Sequence, residues 1–351
     1  VAARTAIGLD VGTSVVRVAE LSLGRAGITL ERFGQVVLPD GVINDGQVVE
    51  PEPVAKCLRK LWTATGLSHK RVVLGVANQR VIVRTVELPA VPSAELRLSL
   101  PFQVMDILPM DVDQSVLDFF PLEEISGTDG VGNTLRGLLV AASRETVLAN
   151  VTCVEKAGLS VQAVDLTSFA VLRALGKQAG PDFETEALID IGARVTNIVV
   201  HRSGVPVFVR ILPMGGQDVT DAVADRLAVP TLQAEAMKQQ IVQAAPTGEQ
   251  ENLFRIVNGQ AQDFVDDVSG SLDYFMSSHP GARVQRILVS GGGSRLLGLT
   301  ECLARDTRIP VVAGDPLANL RIGRTGLDEL QLEFVRPLAA VPVGLALGAF
   351  G

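Results

Sequence analysis

An apolar run that ends in Asp-x-Gly and is followed by a β-branched run occurs twice in this 351-residue chain, near the opening of each half. The first copy is Ile7-Gly8-Leu9-Asp10-Val11-Gly12-Thr13-Ser14 with Val15 to Leu21 behind it. The second is Leu188-Ile189-Asp190-Ile191-Gly192 with Val195 to His201 behind it. Each copy reads as strand, glycine turn and strand, and two half-chains that open alike point to duplicated lobes facing each other across a cleft. Glycine at 12 permits close backbone approach, so the N–H groups and hydroxyls of Gly12, Thr13 and Ser14 can point at phosphate oxygens. A carboxylate such as Asp10 beside a polyphosphate needs a cation between them, and Mg²⁺, which keeps several waters, is the usual one. Taken singly, such a turn is also what any β-hairpin uses. A third loop, Gly291-Gly292-Gly293-Ser294-Arg295, follows the strand Ile287 to Ser290 and precedes a helix, the arrangement that brings backbone against a nucleotide.

Together the three loops resemble those of the actin-like ATPase superfamily, and the likeness spans nearly the whole chain. It implies an α/β fold of two ribonuclease-H-like lobes with duplicated mixed sheets. Within the superfamily the chain is similar to the PilM family of type IV pilus assembly proteins. That likeness rests on Ile7 to Gly12, on Pro101-Phe102-Gln103 ahead of Leu117-Asp118-Phe119, on Asp190 to Ile198, on Gly215-Gly216 and on Ala234 to Lys238. The resemblance implies ATP and Mg²⁺ as ligands. Gly12, Thr13, Ser14, Gly192 and Ala193 would line the phosphates, and Asp10 and Asp190 would hold the ion through water. Gly216, Glu235, Lys238, Gly291, Gly292, Gly293 and Arg295 would surround ribose and adenine. Glu235 and Lys238 lie three apart on one helical face and so can reach a common ligand; without the resemblance they read as a surface ion pair. Asp165 matches the acidic position that orients the attacking water where the superfamily hydrolyses ATP. Its other reading is a carboxylate favoured at a helix N-terminus.

The second loop departs from the pattern of the most active ATPases, in which glycines and a threonine follow Asp-x-Gly; here Ala193, Arg194 and Val195 stand there. Val195 removes a hydroxyl donor, and Arg194 brings a charge that can pair with phosphate instead. Thr196 is a partial substitute, one place out of phase on a strand whose side chains alternate. Binding is expected to survive better than hydrolysis.

A formal charge of −8 argues against nucleic acid as a partner. The basic cluster Lys56, Arg59, Lys60, Lys70 and Arg71 reads as a solvated face. Cys57, Cys153 and Cys302 are scattered, as are His69, His201 and His279, which supports no disulfide framework, metal site or catalytic triad and fits a reducing cytoplasm. The stretch Pro337 to Gly351 is too short and too broken by proline and glycine to span a bilayer, so direct membrane insertion is not expected.

In order along the chain, the expectation is a first lobe over 1–88 with a helix from Pro51 to Gly66 and strands Arg71 to Ala77 and Arg80 to Leu88. An inserted subdomain follows over 89–160. In it Ser93 caps a helix that Pro101 kinks or ends, Val112 to Pro121 and Gly137 to Ala142 are strands, Gly127 to Gly132 is a loop, and Ser143 caps a helix ending at Gly158. Residues 161–185 return to the first lobe, with a helix from Thr167 to Ala179. The second lobe covers 186–336 with a helical part at about 215–284, including a helix from Leu232 to Ala244. Residues 337–351 supply a helix crossing the hinge, where Gly344 and Gly348 permit close approach. The resemblance places such an insertion in FtsA and PilM. It further implies a cytoplasmic ATP-binding scaffold, peripheral to the inner membrane through a partner, that docks the tail of a PilN-like membrane protein and meets other platform proteins, with a homo-oligomer possible. Val112 to Pro121 is the expected docking strand. The alternatives are an FtsA-like division protein, disfavoured by the lack of a terminal amphipathic anchor, and a sugar kinase, which needs a further carboxylate base for which no candidate stands out.

Overall fold

The structure, a computed structural model, describes residues 4–127, 132–176, 184–240 and 249–351. Strand β1 (Arg4–Val11) turns through three residues into β2 (Val15–Gly24), and the meander continues to β3 (Gly27–Val37). After a short ribbon of β4 (Ile43–Asn44) and β5 (Gln47–Val48), Pro51 opens helix α1 (Pro51–Thr65). Gly66, at φ 66°, closes it. Val54, Leu58, Leu61 and Trp62 recur at helical spacing and are buried, and Trp62 Nε1 donates to the His69 carbonyl at 2.9 Å. Strand β6 (Arg71–Val76) then lies parallel to β1.

The insertion is delimited differently from the expectation. Strand β7 (Ile82–Pro89), read from sequence as part of the first lobe, belongs instead to a separate three-stranded sheet with β8 (Ser115–Ile125) and β9 (Thr134–Ser143), in the order β7-β9-β8. Its partners lie some fifty residues downstream, which local pattern does not reveal. Helix α2 (Ser93–Val104) covers one face of this sheet through Leu96, Leu100 and Val104. Pro92, not Ser93, is its N-cap, and it runs past Pro101 to Val104. Strand β8 starts at Ser115, since Val112–Gln114 form a single 3₁₀ turn. Part of the expected loop from Gly127 to Gly132 lies outside the described residues. Helix α3 (Arg144–Lys156) is capped by Ser143 as expected, but it packs Cys153 and Val154 into the first-lobe core beside Leu58 and Trp62. The compact insertion is therefore Ile82 to Ser143.

Strand β10 (Ser160–Leu166) completes the first sheet beside β6 and leads into α4 (Thr167–Leu175); the expected continuation to Ala179 lies outside the described residues. The second lobe repeats the opening of the first with β11 (Thr185–Ile191), β12 (Thr196–Arg202) and β13 (Val205–Leu212). Helices α5 (Gly216–Leu227), α6 (Thr231–Gln240) and α7 (Glu249–Ser278) form its helical part, the expected 241–244 end of α6 being outside the described residues. Then come β14 (Arg286–Ser290), α8 (Leu299–Thr307) and β15 (Val311–Ala313), giving the sheet order β13-β12-β11-β14-β15. Strand β16 (Arg321–Ile322) crosses back to the edge of the first sheet beside β3, earlier than the expected return at 337. Helices α9 (Glu329–Val335) and α10 (Ala340–Gly348) end the chain.

Helices α4 and α10 pack against each other between the two sheets, α10 on β1 and β2 and α4 on β11, β12 and β13. One hydrophobic cluster accordingly joins Leu21 and Leu30 of the first sheet, Leu175 and Leu345 of the helices, and Leu188 and Val199 of the second sheet. Gly344 permits this approach, since a methyl group there would overlap the Ala170 carbonyl oxygen. Among the described residues no single helix is long and apolar enough to cross a membrane. Helices α9 and α10 pass that test as a bent pair, but α10 is spent on the packing between the sheets.

Candidate functional site

The two hairpins are built to one plan. In the first, Gly12 N donates to Val15 O at 3.2 Å, Val11 pairs with Val16, and β1 is flanked by β2 antiparallel and β6 parallel. In the second, Gly192 N donates to Val195 O at 2.9 Å, Ile191 pairs with Thr196, and β11 is flanked by β12 antiparallel and β14 parallel. This register sets Asp10 opposite Arg17 and Asp190 opposite Asn197. Both aspartates end buried strands. Burial pushes the Asp10 carboxyl up to about 6, against the pull of Arg17, and the charge of Asp190 adds to the rise. Burial also raises Asp190, opposed by the Ser290 hydroxyl, which donates to its Oδ1 at 2.7 Å, and by Arg17. Two carboxylates that feel each other across the lobes are a hard-oxygen donor set, and they fit a small divalent ion that keeps most of its waters. Among the described residues no cluster of three or more His, Cys, Asp or Glu forms a closed metal cage.

The glycine loops meet at Asp190's end of the second sheet. Gly291 sits at φ 84° with its back on Ile191, where any side chain would overlap the Ile191 carbonyl oxygen, and its N–H donates to Pro337 O at 2.8 Å. Gly216 N donates to Gly192 O at 2.9 Å and Gln217 N to Ala193 O at 2.7 Å, so the second phosphate loop is fastened to the start of α5. Space beside Gly216 is bounded by Gly293 and by Lys238 Nζ, and the flank of Gly292 is open apart from Leu338. Lys238 Nζ donates to Gly216 O at 2.8 Å and to Thr220 Oγ1 at 2.7 Å, and pairs with Glu235 at 2.7 Å. Burial pushes the Glu235 carboxyl up, but Lys238 and Thr220 outweigh it and hold it below its ordinary value. The structure thus brings Gly192, Ala193, Gly216, Glu235, Lys238, Gly291, Gly292 and Gly293 together, and Gly12, Thr13 and Ser14 form the turn that follows Asp10.

Four residues have protein partners of their own, and Asp165 lies directly ahead of α4, as its second reading had it. Arg295 stacks its guanidinium 4.1 Å above the Phe334 ring and donates to the Phe334 carbonyl, which turns it toward α9. Arg194 reaches Asp221 at 2.6 Å and Asp218 at 3.3 Å on α5, so its charge is already paired. Thr196 donates to Met214 O at 2.9 Å and is buried, so its hydroxyl does not replace the one missing at Val195. Asp165 accepts from Leu166 N at 2.8 Å and pairs with Arg173, whose Nε donates to Gly344 O at 2.9 Å. Its carboxylate is committed to the α4–α10 junction, while burial pushes it up against the pull of Arg173.

Sequence reasoning missed Arg17. Its Nη1 lies 3.8 Å from Asp10 Oδ2, and its charge reaches Asp190 and Arg295. The signal was present: a three-residue turn after Val11 fixes which residue of the next strand faces Asp10.

Two duplicated hairpin sheets closing on a cleft, with three glycine loops and paired aspartates, define a protein of the actin-like fold. The chain belongs to the family of type IV pilus assembly protein PilM, whose family model matches residues 8–350. A solved PilM-PilN type IV pilus biogenesis complex is 25% identical with a TM-score of 0.87, covering 99% of this chain and 98% of that one. Cell division protein FtsA of Bacillus subtilis is 25% identical over 321 residues, 84% of this chain and 70% of that protein. MreB 5 of Spiroplasma citri bound to AMPPNP shares the fold at 13% identity and a TM-score of 0.51, over 98% of this chain and 95% of that one.

Proposed function

We propose that this chain is a cytoplasmic nucleotide-binding scaffold of the type IV pilus machinery, holding ATP with Mg²⁺ in its cleft and a membrane protein's cytoplasmic tail on its insertion. The observation that carries the nucleotide half is the repeated hairpin, which puts Asp10 and Asp190 in register at equivalent strand ends and in electrostatic contact. Asp10 and Asp190 would hold the ion through its waters, Gly12 to Ser14 and Gly192 to Ala193 would donate to phosphate oxygens, and Gly216, Lys238 and Gly292 would bound the nucleoside. Magnesium supplies charge neutralisation of the phosphates. With Val195 lacking a hydroxyl and Thr196 turned away, hydrolysis is slow or absent. The test is thermal denaturation with saturating Mg-ATP: at about one hundred times Kd, linkage adds roughly 2.7 kcal/mol of stability. No shift would sink the reading.

The docking half rests on β8. It is one of the two edge strands of the inserted sheet, with an outer side that an extended peptide can join. Phe119 lines a groove of about 480 Å³ between α2 and the sheet, bounded by Leu96, Leu100, Pro121 and Leu135. The solved relative is a complex with PilN, which supports a PilN-like tail as occupant. A labelled tail peptide titrated by fluorescence anisotropy should bind wild type and lose affinity with Phe119→Ala and Phe120→Glu. Full affinity in both variants would place docking elsewhere.

A further inference from the structure

The chain contains six lysines, and four of them gather with two arginines at one corner of the first lobe. Lys56, Arg59 and Lys60 fall within about 100° of arc on α1, opposite buried Val54, Leu58 and Leu61, and all three are exposed. Arg59 Nη1 donates to the Lys156 carbonyl at 3.1 Å, which brings exposed Lys156, at the end of α3, alongside. Trp62 Nε1 donates to His69 O at 2.9 Å and Ser160 N to Lys70 O at 2.8 Å, so the segment with exposed Lys70 and Arg71 is fixed between the end of α1 and the start of β10. Carboxylates are fewer here: Glu52 bonds Arg59 at 2.7 Å, Glu20 bonds His69 at 2.9 Å, and Glu155 precedes Lys156. Lys56, Lys60, Lys70, Arg71 and Lys156 make no ion pair with another described residue. Helix dipoles account for Lys156 alone, in the last turn of α3, since the last turn of α1 has no basic residue. A chain of formal charge −8 thus keeps most of its lysines together and leaves them uncommitted by the fold.

We propose that this corner is a contact surface for an anionic lipid bilayer, held at the headgroups by charge and without insertion. Lysine is a compact, strongly hydrated charge on a flexible stem, which suits a diffuse field of headgroups better than the bidentate grip of a single anion. From residue 50 to residue 71 no large apolar side chain is exposed, so the face lacks the apolar centre of a protein interface and the apolar side of an inserted helix. Each Lys or Arg brought near an anionic leaflet adds attraction within about one Debye length, roughly 8 Å at physiological salt. The acidic remainder of the chain is repelled by the same leaflet, which turns this corner toward it. The choice of a bilayer over another polyanion rests on the docking reading above: the insertion, given there to a membrane protein's tail, leads through Ser143 straight into α3, whose far end carries Lys156. Tail and bilayer would then hold the first lobe at two places.

Co-sedimentation of the full chain with vesicles tests this in the absence of any peptide. The protein should pellet with vesicles of phosphatidylglycerol and phosphatidylcholine in equal parts and stay in solution with phosphatidylcholine alone. Binding should fade between about 0.1 M and 1 M salt, over which the Debye length falls from about 10 Å to about 3 Å. Lys56→Glu with Lys60→Glu should weaken binding to the anionic vesicles at least about tenfold. Lys70→Gln with Arg71→Gln should weaken it by less, and decides the matter should the first pair fold poorly. Arg226→Glu with Arg283→Glu makes the same change in net charge at exposed positions of the second lobe and should leave binding within about twofold. Equal losses in the two charge-reversal pairs, equal pelleting with neutral vesicles, or no pelleting with anionic vesicles at low salt would overturn the proposal. So would binding of double-stranded DNA through this face by a protein that ignores the vesicles. Because the vesicles carry no protein, a tail peptide that fails to bind in the anisotropy titration sinks the docking reading alone, and Lys56→Glu with Lys60→Glu should keep wild-type affinity for that peptide.

Discussion

Asn197 is the cross-strand neighbour of Asp190, and its Oδ1 accepts hydrogen bonds from Thr167 Oγ1 at 3.0 Å and Ser168 Oγ at 2.7 Å. The strand that carries a candidate metal-side carboxylate is thereby tied to α4, the helix that enters the space between the lobes. All three side chains are buried. Asn197→Ala leaves two hydroxyls without an acceptor, and each unsatisfied group costs about 1–3 kcal/mol. A loss of that order in the unfolding free energy, read from urea denaturation, is expected, and Asn197→Asp, which restores an acceptor with a charge, should not recover it. A neutral result for Asn197→Ala would mean that water replaces the amide.

Asp165 gives a sharper choice between two roles. Its pairing with Arg173, which also holds Gly344 O, makes it part of the contact between α4 and α10. Both side chains are partly exposed, so the pair is expected to stabilise by only about 1 kcal/mol. Asp165→Asn should lower the melting temperature slightly and leave any residual ATP turnover within about twofold. A loss of turnover of a hundredfold or more, with unchanged nucleotide affinity, would restore the water-orienting role.

The parts of the site that were legible in the sequence are those fixed by neighbouring residues. A strand, a glycine turn and a second strand are local, so Asp10 and Asp190 and their loops follow from the pattern alone, as do the cap at Ser143 and the stop at Gly66. What was misread depends on partners far along the chain. Strand β7 has the right length and composition for either sheet, and only pairing with β9 decides. Helix α3 follows the insertion in sequence but finds its apolar partners, Leu58 and Trp62, on α1. Arg295, a candidate ligand residue beside three glycines, has a partner that the local sequence does not show, the ring of Phe334 on α9. Thr196 is different, because strand alternation alone sets it on the face away from its neighbours, toward Met214.

Val195 is the place to test why turnover should be slow. Its carbonyl closes the turn by accepting from Gly192 N, as Val15 O does from Gly12 N in the first hairpin, so the backbone turn is kept while the side chain at 195 brings no hydroxyl. Wild type should hydrolyse ATP well below the roughly 1–100 per second of protein kinases. Val195→Thr should raise turnover more than it changes affinity, measured by phosphate release and by nucleotide titration. Arg194→Ala, by contrast, removes an exposed pair with Asp218 and Asp221 and should alter nucleotide affinity less than threefold. A tenfold loss there would mean that Arg194 leaves α5 for the phosphate.

At the other end of the second sheet, His201 gives a pH dependence with a definite sign. It is fully buried beside Glu186, 3.6 Å from Nε2 to Oε2, while Arg286 pairs with the other oxygen of Glu186 at 2.5 Å. Burial, reinforced by Arg286, pushes the imidazole down to about 4 from its ordinary 6.5. The unfolded chain therefore binds a proton that the folded chain refuses. The stability that goes with neutral His201 is complete above pH 6.5 and is lost as pH falls toward 4, by up to about 3 kcal/mol. Burial of Asp10 acts in the opposite sense over part of this range, so the informative quantity is the difference between wild type and His201→Gln. Urea denaturation of both at pH 7.5, 6, 5 and 4.5 should show the wild-type curve falling more steeply, with the gap changing most between pH 6.5 and 4.5. Parallel curves would mean that His201 takes up its proton in the folded core, with Glu186 as the acceptor.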